Sequence, residues 1–578
     1  MYDILIKGGD LIDGTGSARR RADVGIQGDR IVAIGDLDAG DLDVGAADTI
    51  DATGKVVTPG FVDVHTHYDA QVFWDGALTP SPLHGVTTAL AGNCGFTIAP
   101  LSDDPSDGEY LMRMLARVEG MPLESLRDGV PWNWTTTAEY FDEIEGRLGI
   151  NAGFMVGHSA IRRVVMGEES TAREAKPDEL AAMQLLLRAG LEVGAIGFSS
   201  SWARTHNDAD GHMVPSRFAS RDEVVDLCAT LAEFPGTSLE FIPMVGPKFE
   251  PWAVELMAAM SAAAQRPLNW NVLGVNAKNL TEAQAKLEAG DYAREHGGRV
   301  VALTVPMSFP VRLSFRSGFI LDAIPGWEDA MLMPLDEKLA LFDDPAALER
   351  LDELSQAENN PMRALSNWQN LKIYDVLAPE NEQYRGQVIG DIAEAEGRSG
   401  WDVLTSIARA DELNTSFGTQ VIAESDDDWK ARIEVWRDKR ALIGASDAGA
   451  HLDLLASFNY ATEVLGKCVR QRKLLPLEEA INLITDTPAQ LYGLHERGRI
   501  AEGWRADVVV LDPETVGSHE VRMRMDLPGG AGRLYAEADG IDHVLVNGTG
   551  IVRDGALTEA RTGTLLRAGR DTRTASLD

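Results

Sequence analysis

Thr58-Pro59-Gly60-Phe61-Val62-Asp63-Val64-His65-Thr66-His67-Tyr68-Asp69 is an apolar run of β character that ends on two histidines. At the two-residue period of a strand, His65 and His67 point to the same face, so both imidazoles can grip one metal ion. In isolation such a pair is equally at home as packed or surface histidines. The context argues for more. A doubly wound open sheet usually places a Gly-rich phosphate loop after its first strand, whereas this strand ends in His-Thr-His. The earlier Gly14-Thr15-Gly16 lacks the third glycine and following helix of a dinucleotide fingerprint, so it reads as a turn.

Outward from Val56–Val64, short apolar runs recur at Val86–Ala91, Ala152–Val156, Ala195–Ser199, Ser238–Val245, Pro267–Val275, Val300–Val305 and Ala441–Ala445. Most are followed by a segment of helical period. Ser220 to Glu223, for example, reads as a capping box ahead of Val224, Val225, Leu227, Cys228 and Leu231 on one face, with Cys228 a core thiol. Eight strands with intervening helices predict an α/β fold, a (β/α)8 TIM-like barrel, over residues 57–496. Two inserts, 101–150 with Trp132 and Trp134 and the mostly helical 306–440, follow strand ends and so lie over the mouth. Residues 1–56 and 497–578 are rich in short strands and tight turns, which predicts a small β-sandwich domain formed from both termini. The last residues, from Arg567, form a polar, frayed tail.

Lys plus Arg number 53 and Asp plus Glu number 90, a formal charge of −37. That charge disfavours nucleic acid and anionic membrane surfaces as partners and leaves a small-molecule substrate as the expectation. No run approaches the ~18 apolar residues of a membrane-spanning helix. The start has no basic segment followed by an apolar stretch. The three cysteines, Cys94, Cys228 and Cys468, are too scattered for a disulfide framework. The expectation is a cytoplasmic enzyme, with a homo-oligomer left open.

Three signals carry chemistry. His65 and His67 close the first barrel strand, where barrel enzymes keep their sites. Ser446-Asp447-Ala448-Gly449-Ala450-His451 closes the eighth, and a closed barrel sets it beside the first. Asp447 can there ligate the ion, take a proton from water and pass it to a leaving group. Asn93-Cys94-Gly95 follows the second strand, and Cys94 is either a thiolate ligand or an inert thiol in a tight turn. His158 and Arg162 after the third strand can contact substrate or hold their loop as a pair. Trp202 and Arg204 head the loop after the fourth strand and are further candidates for substrate contact. His206 and His212 in that loop, and Lys248 after the fifth strand, read as solvent-exposed.

MYDILIKGGDLIDGTG, TPGFVDVHTHYD, HGVTT, GNCGFTIAP, VGHSAIRRVVMG, GAIGFSSS, IGASDAGAH and RGRIAEGWRADVVVLD resemble the amidohydrolase superfamily, and within it the N-acyl-D-amino-acid deacylase (D-aminoacylase) family. The likeness runs from residue 1 to about residue 515, with gaps at the two inserts. It implies a barrel with a β-sandwich, hydrolysis of a C–N amide bond by metal-activated water, and metal-site positions at His65, His67, Cys94 and Asp447. Asp447 would be the general base and acid. The chain departs from the family where strands five and six supply metal-binding histidines; here they read Ser238-Leu239-Glu240-Phe241 and Asn269-Trp270-Asn271. That departure leaves three readings: one divalent ion, zinc foremost, held by His65, His67 and Asp447 rather than two ions; Glu240 as a substitute oxygen ligand; or a centre that has lost its metal. A lactone, ester, carbamate or cyclic-amide hydrolase on the same centre, and a barrel that only binds a small molecule, are the rival readings.

Overall fold

The computed structural model describes residues 1–37, 45–244, 246–421 and 424–577; Val245, the last residue of the run from Ser238, lies outside them. The run from Val56 to Val64 is two strands in two sheets. Val56–Pro59 pairs with Val508–Leu511 and with Asp10 and Leu11, whereas Phe61–Asp63 pairs in parallel with Val86–Ala91. Gly60 makes the crossing. A Cβ there would lie 2.0 Å from Thr87 Oγ1, so only glycine lets the backbone pass.

The middle of the chain alternates parallel strands and helices. Phe61–Asp63, Val86–Ala91 and Asn151–Phe154 form one parallel sheet. Val156–Gly157, Gly197–Ser201, Ser238–Ile242, Leu268–Gly274, Val300–Val305 and Ala441–Ile443 form another, in that order. Nearly all their residues are buried, as expected of parallel strands covered on both faces. Only Met155 separates Asn151–Phe154 from Val156–Gly157, and its N–H donates to Ala91 O. At the other end, Asp447 N donates to His65 O at 3.0 Å and His67 N to Ala448 O at 2.7 Å. These two bonds tie the end of the last parallel strand to that of the first.

A nine-stranded sheet draws on both ends of the chain, running from Arg30–Gly35 through Tyr2–Leu11 and Val508–Leu511 to Ala556–Leu557. Ile6, Val24, Ile26, Val57, Val508 and Val510 are buried in its core. The C-terminal tail is not frayed. Leu565 and Leu566 are buried, Leu565 bridges Ala152, and Thr572 bridges Leu494, so apolar anchors hold its polar residues in place.

The two inserts differ in kind. Residues 101–150 carry the helices Pro105–Val118, Leu123–Gly129 and Thr137–Ile144, packed into the main core. Residues 306–440 build a core of their own around Phe315, Trp327, Trp368, Trp401 and Phe417. Besides helices, this insert holds an antiparallel sheet of Arg312–Leu313, Ser416–Gly418 and Lys372–Asp375. Strands that short are too brief for their alternation to register in the sequence.

Candidate metal centre

His65 and His67 lie just past Phe61–Asp63, 2% and 1% exposed. Thr66 between them turns the other way and donates through Oγ1 to Leu90 O. Asp447 follows Ala441–Ile443 with φ +59°, a left-handed conformation that aims its carboxylate back over the strand ends. Ser446 braces the turn by donating to Asp63 Oδ2 at 2.6 Å. Asp447 Oδ1 stands 3.4 Å from His65 Nε2 and 3.2 Å from His67 Nε2, and the side chain remains 28% exposed. Cys94, also left-handed, sits in the turn after Val86–Ala91 with Sγ 3.5 Å from His65 Nε2 and 3.8 Å from His67 Nε2.

A fifth side chain joins them from the 101–150 insert. Glu119 caps the C-terminus of the helix Pro105–Val118 and is buried, with Oε2 3.6 Å from His67 Nε2. His451 closes the exposed side, its Nε2 3.6 Å from Asp447 Oδ2, and Phe319 of the larger insert stacks on its ring.

The spacing fits an ion. Four ligands at roughly 2.1 Å from one metal stand about 3.4 Å apart in a tetrahedron, and His65–Asp447 (3.4 Å), His67–Asp447 (3.2 Å) and His67–Glu119 (3.6 Å) match that edge. The electrostatics agree. Burial works against charge on His67, yet Glu119 and Asp447 raise its pKa to about 9. A place that holds a proton so strongly is one where a cation can replace it. Burial also opposes the Asp447 carboxylate, but the rings of His65 and His67 hold it well below the usual range.

Other sequence candidates fall elsewhere. Glu240 reaches the centre's floor, and each of its oxygens already accepts a hydrogen bond: Oε2 from Cys94 N at 2.7 Å and Oε1 from Asn271 Nδ2 at 2.5 Å. Burial pushes its carboxyl up to about 8, which keeps it a neutral acid at neutral pH. His158 and Arg162 are fully buried and meet on Glu223, with His158 Nδ1 also bonded to Ser200 Oγ. Here they pair within the fold, as the alternative reading of that pair expected. Glu223 was expected to complete a capping box; Ser220 does cap the helix Arg221–Thr230, but the Glu223 carboxylate is drawn to the Arg162 guanidinium and the His158 ring instead. Trp202 is half-buried against Phe241 and Trp252, and Arg204 is exposed. His206, expected in solvent, is half-buried and bonded to Ser201 Oγ, with Phe96 against its ring. Burial lowers its pKa to about 3, so the ring stays neutral. His212 and Lys248 are exposed.

The sequence pattern of the amidohydrolase family matches residues 48–552. The chain belongs to the amidohydrolase family. An N-acyl-D-glutamate deacylase of Alcaligenes xylosoxydans xylosoxydans is 29% identical, over 98% of this chain and 96% of its own. The solved structure of an N-acyl-D-glutamate deacylase from Bordetella bronchiseptica, with zinc and a phosphonate mimic of the tetrahedral intermediate, superposes with TM-score 0.63 at 26% identity, over 98% of this chain and all of that one. A D-aminoacylase with a binuclear metal centre, described as activated by one metal and attenuated by the second, gives 0.64 at 25%, with the same coverage.

Two residues of this amidohydrolase centre escape a reading by motif. Glu119 is the lone acid in the otherwise apolar stretch Val118-Glu119-Gly120-Met121-Pro122, and that contrast is the one signal that could have marked it. His451 ends the Asp447 motif itself, and its place four residues on gave no hint that its ring would turn back over the carboxylate.

Proposed function

We propose that this amidohydrolase is a deacylase of N-acyl-D-amino acids, with one divalent ion, zinc foremost, held by His65, His67 and Asp447. The observation that carries the reading is Asp447: its Oδ1 lies within hydrogen-bonding reach of both buried imidazoles while the side chain stays open to an incoming molecule. When bound, the ion supplies a Lewis acid that polarises the amide carbonyl and lowers the pKa of water. Asp447, kept ionised by the imidazoles, accepts the proton of the attacking water and returns it to the departing nitrogen. The His451 ring stands 3.6 Å from the second oxygen of that carboxylate. Trp202 and Arg204, at the head of the neighbouring loop, are the candidates for gripping the amino-acid portion.

The architecture that serves this chemistry is a (β/α)8 barrel over about residues 57–496 with a terminal β-sandwich. The two bonds between the first and last strand ends support closure, because they put donors more than three hundred residues apart onto one centre.

Zinc-loaded protein is offered N-acetyl and N-formyl derivatives of D- and L-glutamate, methionine and leucine, with amine release measured. Turnover of D substrates, lost on chelation and restored by zinc, is the expected result. Fully zinc-loaded protein that hydrolyses no N-acyl-D-amino acid, yet opens a lactone or cyclic amide, overturns the substrate class.

A further inference from the structure

We infer that Glu119, carried by the 101–150 insert, is a ligand of the same metal ion. The inference rests on the metal reading above and adds a donor from outside the strand ends.

The carboxylate is built in rather than incidental. It is 3% exposed, and among the described residues the basic side chains within 4 Å of it are only the rings of His67 and His451, at 3.6 and 3.9 Å. Its Oε1 is buried without a hydrogen-bond partner. Burying a carboxylate with an unmet oxygen is costly, and a cation at the centre is what would offset it. Glu240, the other buried acid near Cys94, shows the alternative, with both oxygens met by N–H groups.

The backbone presents Glu119 as rigidly as a strand would. Its carbonyl accepts from His451 N at 2.5 Å, so the insert is bonded to the segment that carries Asp447. Gly120 follows with φ +56°, and a Cβ there would stand 3.2 Å from His451 Cα. Any other residue would strain this turn and press on its neighbour, so the approach of helix end to metal-site loop depends on glycine.

Two donor groups emerge, His65–His67–Cys94 and His67–Glu119–Asp447. They share His67 Nε2, which has a single lone pair and can serve one ion at a time. The two groups therefore compete for His67, and an ion held by His67, Glu119 and Asp447 leaves the other group without it. Glu119 makes its surroundings rich in oxygen, while the soft Cys94 sulfur stands 3.8 Å from the same His67 nitrogen.

The test compares wild type with Glu119→Gln, which keeps shape and removes charge. Zinc affinity is read by competition with a chromogenic chelator, and the cobalt-loaded proteins are read by visible absorption. The expected result is zinc binding weakened at least about 100-fold, beyond the loss typical of groups that only orient a ligand. The cobalt spectrum should change, and the unfolding temperature of metal-free protein should be unchanged or raised. If Glu119→Gln does not fold, Glu119→Asp keeps the charge, shortens the reach, and should weaken zinc about tenfold. Affinity within threefold of wild type in a folded variant overturns the inference. So does a thiolate-to-cobalt band that Cys94→Ser abolishes while Glu119→Gln leaves affinity intact. Wild-type protein that binds neither zinc nor cobalt defeats the metal reading itself, a different result from selective loss in the variant.

Discussion

Two walls of one small centre use the same residue types to opposite ends. On one, Asp447 and Glu119 stand over His65 and His67 with oxygens at 3.2 to 3.6 Å from ring nitrogens. On the other, Glu240 lies beneath Cys94, its oxygens taken by a main-chain N–H and the Asn271 amide. Asp447 is held ionised by neighbouring imidazoles, whereas burial pushes Glu240 up to about 8 and, against the pull of His67, Glu119 up to about 7. The difference teaches that a buried carboxylate is open to a cation when one of its oxygens lacks a hydrogen-bond partner, as Glu119 Oε1 does and neither Glu240 oxygen does. Proximity alone does not qualify it.

That contrast can be broken at several points. The largest effect is expected from Asp447→Asn, which should cut kcat by about 10³-fold or more in steady-state assays of zinc-loaded protein, because the amide cannot take the water's proton. Near-normal turnover would remove Asp447 from the role given to it.

Next comes a cluster that belongs to neither wall. Glu223→Ala leaves the Arg162 guanidinium buried and unpaired, and denaturant unfolding should show a loss of about 3–5 kcal/mol. Turnover per folded molecule should stay close to wild type. A large change in KM without loss of stability would instead place Arg162 and His158 against substrate.

The smallest effect tests the passive wall. Glu240→Gln should keep turnover within about threefold of wild type, since an amide oxygen can still accept from Cys94 N–H. Its signature lies in pH. The Glu240 carboxyl is raised from 4.5 to about 8, so its contribution to stability is full below pH 4.5 and is lost as pH rises through 8. Burial likewise opposes charge on His67, but Glu119 and Asp447 raise it to about 9, and its stabilising proton is lost over the upper part of the same range. The unfolding temperature of metal-free wild type should therefore fall between pH 6 and 9, and Glu240→Gln should fall less. Equal slopes would mean that Glu240 is already ionised in the fold.

Much of the parallel core was legible because its signals are local. Val86–Ala91 and Val300–Val305 are the observed strands to the residue, and the His65–His67 pair shares a face by the strand period alone. The break at Gly60 was hidden, because both halves of the run are apolar and only the approach of Thr87 makes glycine necessary. The small sheet inside 306–440 was hidden by strands too short to show alternation. His158, Arg162 and Glu240 were legible as polar groups near strand ends, but their partners Glu223 and Asn271 lie 61 to 65 and 31 residues away in the chain. Nothing local reveals whether such an atom is already spent.

By itself the sequence determined which segments become strands, which histidines share a face, and that the surface is acidic, since each follows from composition or from a period of a few residues. Only the tertiary structure decided that Asp447 meets His65 and His67, that Glu119 arrives from an insert, and that Glu240 is occupied. Coordination and hydrogen bonding depend on separations of about 3 Å in space. Chain separation leaves those distances open until the strands have found their neighbours.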